Sequence, residues 1–203
     1  PTTIRAVLTD KTKAVIPVHI GGWPADMPSI MTLAADHDLK VIEDCAQAHG
    51  AAIDGKAVGS FGHAGAWSFC QDKIMTTGGE GGMVTTDDPD FWSTMWSFKD
   101  HGKSWDAVYN RNHRPGFRWV HESIGTNWRM LEMQAAIGRI QLKRMAEWTA
   151  AREAHAAVLT AAGLWWAWLA LWLVPMATWY PLVTRFRNIA EHALVAKDEP
   201  DPL

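Results

Sequence analysis

The stretch LKVIEDCAQAHG, residues 39–50, decides the predicted fold. It opens with a short apolar run, Leu39–Ile42, and continues directly into Glu43 and Asp44. A short run containing β-branched residues is typical of a buried strand, and the polar pair that follows marks its carboxyl end. Open sheets of parallel strands bind ligands outside these carboxyl ends. Asp44 and the residues after it are therefore the first candidates for a functional site.

Strand and helix patterns alternate on both sides of this stretch. Upstream, Val15–Ile20 predicts a strand that Pro17 makes irregular, and Asp26 with Pro28 predicts the start of a helix. The apolar face predicted for this helix is Met27, Ile30, Met31 and Ala34. Strands separated by helices are typical of a mostly parallel sheet flanked by helices, which places the chain in the α/β class.

Downstream of the stretch the alternation continues. Further strands are predicted at Gly65–Phe69 and Met83–Thr86, and a helix is predicted after Asp88. Residues 103–122 have no period and predict a long loop. The longest helical pattern runs from Met130 to about Ala162, and its apolar face contains Met130, Met133, Ile137 and Ile140.

Side chains that can perform chemistry follow two predicted strand ends. Gln47 lies three residues after Asp44, Ser68 ends the next strand, and Lys73 precedes a glycine run at residues 78–82. Taken singly, each has an ordinary structural interpretation: an Asp after a strand often forms a cap or turn, and an isolated Lys is usually solvated. By the same reasoning Asn127 alone predicts the N-cap of the long helix, and His49 a packed histidine.

The ordered combination of motifs resembles a known family. It consists of Val18-His19 with Gly21, Glu43-Asp44 with Gln47, Ser68-Phe69 with Lys73 and the glycine run, Gly125–Met130, and Gln134–Gly138. Together, over about residues 10 to 160, these motifs resemble the DegT/DnrJ/EryC1/StrS aminotransferases. The resemblance implies the large domain of a fold-type I enzyme that uses pyridoxal 5'-phosphate (PLP).

The resemblance also implies a role for each matching residue. Lys73 is implied to be the catalytic lysine, which forms the Schiff base with PLP and shuttles a proton. Asp44 would pair with the pyridinium nitrogen, Gln47 would contact the ring hydroxyl, and Ser68 would bind the phosphate. Asn127 would reach the phosphate of the neighbouring subunit's cofactor. Arg129 is the implied contact to the substrate diphosphate, and no metal is expected.

The implied reaction is transfer of an amino group, from glutamate, to a keto-sugar carried on a nucleotide, as in polysaccharide biosynthesis. Two alternatives stay open. The first is another PLP reaction, such as sugar dehydration, although the dehydrating members have a histidine where this chain has Lys73. The second is a non-catalytic remnant that keeps the motifs and acts as a binding module.

Composition limits the partners and the setting. The formal net charge of −3 gives no basic field for nucleic acid. Two cysteines and no signal-peptide pattern favour the reduced cytoplasm. Residues 156–184 have no charge, but Gly163, Pro175 and Pro181 interrupt them, so a membrane span is not expected. Asn127, together with 13 tryptophans and 9 methionines, favours a homodimer.

The domain organisation expected from the resemblance is incomplete. Residues 1–160 are predicted to be a segment of the PLP-binding large domain. Residues 161–203 are a separate, Trp-rich segment to which no fold is assigned. The N-terminal portion that family members carry is expected to be absent, and the small C-terminal domain of the family is not recognisable after about residue 163.

Overall fold

The structure, a computed structural model, describes residues 2–116 and 121–164, together with residues 166, 167, 170, 173 and 174. Most of the predicted Trp-rich segment, residues 161–203, therefore lies outside the described residues. The chain divides into two compact units, Pro1–Trp148 and Thr149–Leu203. The sheet and all candidate site residues belong to the first unit, and the described part of the second is mainly helical. The predicted domain boundary at residue 160 stays a prediction.

A four-stranded sheet forms the centre of the first unit. The strands of the described chain are β1 (Ala14–Val15), β2 (Lys40–Asp44), β3 (Ala52–Ile53), β4 (Lys56–Ala57), β5 (Ala64–Ser68) and β6 (Gly82–Thr85). The sheet has the order β1-β2-β5-β6, in which β1, β2 and β5 are parallel and β6 is antiparallel to β5. The prediction of a mostly parallel sheet is confirmed. β3 and β4 form a separate hairpin across Asp54 and Gly55, both with positive φ.

The strand predicted at Val15–Ile20 is wrong beyond Val15. β1 ends there, and Pro17 has no N–H with which to continue the ladder. The segment nevertheless stays beside β2, because the Pro17 carbonyl accepts a hydrogen bond from the Asp44 N–H at 2.9 Å. Val18 then forms an isolated parallel bridge with Asp44. The chain after β1 therefore reaches the carboxyl end of β2 without forming a regular strand.

The helices are α1 (Thr2–Arg5), α2 (Met27–Asp36), α3 (Pro89–Lys99) and α4 (Glu132–Ala161) in the described residues. The start predicted for α2 is confirmed, since the Asp26 side chain accepts a hydrogen bond from the Ser29 N–H at 3.3 Å. Asp88 caps α3 in the same way. The alternative interpretation of Asn127 as the N-cap of α4 is wrong, because α4 begins only at Glu132.

The main core lies between α2 and β2. Met27, Ile30 and Ala34 of α2 are buried in one cluster with Leu39 and Val41, and Leu33 is also buried. Burial of one large apolar side chain stabilises the fold by about 1.5–3 kcal/mol. The predicted face of α2 is therefore correct except that Leu33 is buried and Met31 only partly so.

Outside this core, α4 and the segment before it leave many apolar side chains exposed. Met133 and Ile140 are 73% and 65% exposed, and of the described helix residues only Gly138 is buried. The loop predicted at residues 103–122 contains a π-helical turn, Asp106–Asn110, beside which Trp105 packs on Tyr109. No helix in the described part of the chain is long and apolar enough to cross a membrane.

Candidate active site

A buried carboxylate, Glu43, organises the region behind the candidate site. Its Oε1 atom accepts hydrogen bonds from the Phe61 and Gly62 N–H groups, both at 2.7 Å. Its Oε2 atom accepts one from the Gly59 N–H at 2.8 Å and lies 3.0 Å from Nε2 of His19. Glu43 and His19 are both 0% exposed. Four donors around one carboxylate satisfy a charge that would otherwise be costly to bury.

The hydrogen bonds of His19 determine which of its ring nitrogens carries the proton. Nδ1 accepts a hydrogen bond from the Ala25 N–H at 3.0 Å, so the ring proton resides on Nε2 and is donated to Glu43. Cys45 lies next to this pair, and burial, with the charges of Glu43 and Asp44, raises the pKa of its thiol to about 12. These three residues could in principle ligate a metal. Their donor atoms are already engaged or protonated, so the cluster is a structural network.

Asp44 lies at the carboxyl end of β2 with its side chain held by its own loop. Its Oδ1 atom accepts a hydrogen bond from the Ala46 N–H at 3.0 Å. The other oxygen, Oδ2, accepts no hydrogen bond from the described part of the chain. The backbone carbonyl of Asp44 accepts a hydrogen bond from the His19 N–H at 3.1 Å, which links the loop around His19 to the end of β2. The carboxylate is thus fixed in orientation and has one open oxygen.

Gln47 is fixed by a second contact from the same loop. The Gly21 N–H donates a hydrogen bond to its Oε1 atom at 2.7 Å. Gln47 is exposed, and its Nε2 atom donates no hydrogen bond within the described residues. The amide therefore offers a free donor on the side away from Gly21.

Ser68 ends β5, the strand next to β2. The parallel register pairs Asp44 with Ala66, so Ser68 lies two residues farther along, about 7 Å beyond that pair. Its Oγ atom accepts a hydrogen bond from the Cys70 N–H at 3.3 Å. Because Oγ is used as an acceptor there, the hydroxyl hydrogen is available for another group.

Lys73 lies in the loop that links β5 to β6. Its N–H donates to the Cys70 carbonyl at 3.1 Å, which closes a turn, and its side chain is only 19% exposed. Its Nζ atom is 3.5 Å from Oδ1 of Asp72, whose side chain is 69% exposed. An ion pair with so exposed a carboxylate contributes little free energy, so it does not commit the amine to that partner.

The far side of this loop is held by α4. The Phe69 carbonyl accepts hydrogen bonds from the Thr77 N–H and the Thr76 hydroxyl, and the Thr76 N–H donates to Gln141 Oε1 at 2.8 Å. A Cβ atom added at Gly138 would lie 3.0 Å from the Thr77 methyl group. This close approach packs the helix directly on the segment that follows Lys73.

His49 is a packed side chain, as predicted. It is 8% exposed, and its ring lies 5.5 Å from that of Trp67 and 5.9 Å from that of Phe69. Neither ring nitrogen has a hydrogen-bond partner among the described residues. Burial lowers the pKa of His49; the Ser68 backbone opposes this effect, and the nearby positive charge of Lys73 adds to it. Protonation of this ring is therefore less favourable than protonation of an exposed histidine.

Asn127 and Arg129 lie in the segment between α3 and α4. Asn127 forms an antiparallel bridge with Asp100, just after α3, and its Oδ1 atom accepts a hydrogen bond from Arg129 Nε at 3.1 Å. Arg129 also lies 3.8 Å from Oδ1 of Asp100. Their described side-chain partners all belong to this corner of the unit. The structure thus places Asp44 and Ser68 at the ends of neighbouring strands, with Gln47 and Lys73 in the loops that follow them. Asn127 and Arg129 are exposed, and their described side-chain contacts are with each other, His101 and Asp100.

The hydrogen bonds of Glu43 and His19 were not predicted from the sequence. Both residues occur in the quoted motifs, but the four groups that donate to Glu43, one of them His19, lie 16 to 24 residues from it along the chain. The only local signal was a second acid next to Asp44 in an apolar strand. A buried acid of this kind requires several donors, and that requirement could have directed attention to it.

Sequence comparison finds relatives that are named as enzymes of nucleotide-sugar metabolism. The chain is 44% identical over 149 residues to UDP-N-acetyl-3-dehydro-alpha-D-glucosamine 3-aminotransferase of Acidithiobacillus ferrooxidans, which covers 73% of the chain and 37% of the relative. It is 43% identical over 150 residues to GDP-perosamine synthase of Caulobacter vibrioides, covering 74% of the chain and 38% of that relative. The chain thus spans less than two fifths of the length of these relatives.

Solved structures agree with the sequence relatives. An aminotransferase from Psychrobacter cryohalolentis superposes with a TM-score of 0.78 at 66% identity, over 82% of this chain and 42% of that one. DesV of S. venezuelae, solved in complex with a ketimine intermediate, superposes with a TM-score of 0.70 at 36% identity, over 81% and 41% of the two chains. The fold is thus that of part of a fold-type I aminotransferase. A family model matches residues 1–162, and the chain therefore belongs to the DegT/DnrJ/EryC1/StrS aminotransferase family.

Proposed function

We propose that this chain supplies part of the active site of a PLP-dependent enzyme that transfers an amino group, from glutamate, to a keto-sugar carried on a nucleotide. The observation on which the proposal rests is that an acid and a hydroxyl end two neighbouring parallel strands, and that an amide and a lysine lie in the loops that follow them. Sites outside the carboxyl ends of such strands are where open α/β sheets bind ligands.

The unengaged atoms at these strand ends match the chemical groups of PLP. Oδ2 of Asp44 is an acceptor suited to a protonated pyridine nitrogen, and Nε2 of Gln47 is a donor suited to the ring oxygen. The hydroxyl hydrogen of Ser68 suits a phosphate oxygen. These residues thus offer one acceptor and two donors, the kinds of group that would suit the ring nitrogen, the ring oxygen and the phosphate of the cofactor.

Each residue then has a defined task. PLP itself supplies the electron sink for the bonds that are broken next to the amino nitrogen. Asp44 keeps the proton on the ring nitrogen, because a neighbouring negative charge favours the protonated form. Lys73 holds the cofactor through Nζ and moves the proton that amino transfer requires. The low exposure of its side chain excludes much of the bulk water from this step.

The nucleotide-sugar substrate is proposed from the relatives. The two relatives described above are named for UDP- and GDP-linked sugars, and another relative is a dTDP-3-amino-3,4,6-trideoxy-alpha-D-glucose transaminase. The proposal includes a homodimer, in which the exposed Asn127 of one subunit serves the partner's cofactor phosphate and Arg129 faces the substrate diphosphate. Exposure of both residues in the single chain supports this assignment.

Borohydride reduction of protein incubated with PLP tests the assignment of the lysine. Peptide mapping should find the pyridoxyl group on Lys73, because this lysine lies in the loop that follows Ser68 at the end of β5, the strand next to the one that ends at Asp44. The label should disappear in Lys73→Ala. Labelling of Lys56 or Lys99 in the place of Lys73 would overturn the assignment, and no label in protein that is shown to be folded would favour the non-catalytic remnant.

A further inference from the structure

The turn at residues 19–22 connects the buried Glu43 network to Gln47. His19 begins this turn and is anchored by Glu43 through Nε2 and by the Ala25 N–H through Nδ1. Gly21 lies two residues later in the left-handed region, with φ of 60°, and its N–H points to Gln47. The buried pair and the exposed amide are therefore joined by one short, hydrogen-bonded segment.

This segment decides which end of the Gln47 amide faces outward. A backbone N–H can only donate, so the atom 2.7 Å from Gly21 has to be the amide oxygen. The NH2 group then points away from the turn. With Gly21 displaced, neither orientation of the Gln47 amide would be favoured by this contact, and the exposed side chain could turn its oxygen outward.

We propose that His19 and Glu43 are positioning residues, which hold the Gly21 N–H in place so that Gln47 presents its NH2 group, and not its oxygen, to the cofactor. The inference rests on the proposed function for the identity of the acceptor, the ring oxygen of PLP. A donor at that oxygen stabilises its ionised form, whereas an amide oxygen there would repel it. His19 and Glu43 touch neither cofactor nor substrate in this scheme and act only through Gln47.

Hydrogen exchange at the Gly21 amide, measured without cofactor, tests the hydrogen-bonded link directly. Gln47→Ala removes an exposed side chain and should speed exchange about five-fold, the effect of losing one ordinary hydrogen bond. Gln47→Glu keeps an acceptor and should leave the amide protected. Loss of protection in Gln47→Glu would overturn the assigned orientation. Ile20→Ala, in the same turn and exposed, is the matched control and should exchange like the wild type.

A pair of His19 variants tests the positioning role. A Gln side chain can place its NH2 group where Nε2 lies and keep the bond to Glu43, so His19→Gln should retain protection at Gly21. An Asn side chain reaches only the Nδ1 position, so His19→Asn should lose about as much protection as Gln47→Ala. Equal protection in His19→Asn and the wild type would overturn the proposal.

A third measurement needs no folded His19 variant. Because the coupling between two linked groups is reciprocal, Gln47→Ala should also speed hydrogen exchange at the Ala25 amide. Unchanged exchange at Ala25 would likewise count against the link.

The spectrum of bound PLP supplies the functional readout. Gln47→Glu and His19→Asn should both shift the pH at which the absorbance of the bound cofactor changes, while Ile20→Ala should not. A normal pH profile in both variants would refute the role of the Gln47 donor. Failure of the protein to bind PLP at all would refute the proposed function, and the exchange measurements would still decide whether His19 positions Gln47.

Discussion

Replacing Glu43 by glutamine removes one charge and almost no volume, and it should cost a large part of the stability of the fold. The carboxylate accepts two hydrogen bonds at each oxygen. The amide oxygen of a glutamine can accept at the position of one carboxylate oxygen. At the position of the other oxygen, the NH2 group of the amide would face two hydrogen-bond donors. His19 cannot adapt by exchanging its ring proton, because Nδ1 would then direct a hydrogen at the Ala25 N–H.

The expected loss follows from these contacts. Hydrogen bonds to a charged acceptor contribute about 1.5–3 kcal/mol each, and at least two of the four are lost in Glu43→Gln. The free energy of unfolding should therefore fall by about 3–6 kcal/mol, out of the roughly 5–15 kcal/mol typical of a folded domain. Urea denaturation at equilibrium, followed by circular dichroism, measures this difference.

Glu147→Gln is the matched control for this measurement. Its carboxylate is 69% exposed and pairs only loosely with Arg144, at 3.7 Å. The same substitution there should change the free energy of unfolding by less than about 0.5 kcal/mol. A loss below about 1 kcal/mol in Glu43→Gln would mean that the backbone donors around it find other partners, and the reasoning about the buried network would be refuted.

Three further predictions concern the candidate site. Asp44→Asn should lower the rate of amino transfer far more than PLP affinity, because a neutral amide cannot hold the ring proton; turnover near that of the wild type would make Asp44 a turn residue only. A mixture of Lys73→Ala and Asn127→Ala chains should regain activity by forming one intact site per heterodimer. Demonstrated heterodimers without activity would contradict a shared site. Burial lowers the pKa of His49 below its ordinary 6.5, so the unfolded state binds the proton first and stability falls as pH drops below about 6.5. His49→Phe should reduce this acid sensitivity in denaturation curves, and an unchanged pH dependence would assign the effect to other groups.

The sequence was sufficient to predict the features that depend on local patterns. The strand before Asp44 and the starts of α2 and α3 are encoded by short runs and capping residues, and all three were predicted correctly. The four donors to Glu43 could not be predicted, because they come from segments that meet only after the sheet has formed. For Asn127 a local pattern gave a wrong prediction. A residue type that suits a helix start was instead used in a bridge to Asp100, and tertiary pairing outweighed local preference.

The antiparallel pairing of β6 with β5 has a consequence for how the chain could be altered. Ser68 and Gly82 are paired opposite each other, so the loop that contains Lys73 begins and ends at the same residue pair of the β5–β6 ladder. The length of a loop closed in this way can change without shifting the strands on either side. Since loop closure becomes less favourable by only about 0.6 kcal/mol for each doubling of length, residues could be added there at small thermodynamic cost. The bonds of Thr76 and Thr77 to the Phe69 carbonyl and the close approach of Thr77 to Gly138 hold both ends of the loop, so the length that can change lies after Cys70. Insertions directly after Cys70 would therefore alter the reach of the lysine while the sheet stayed as it is.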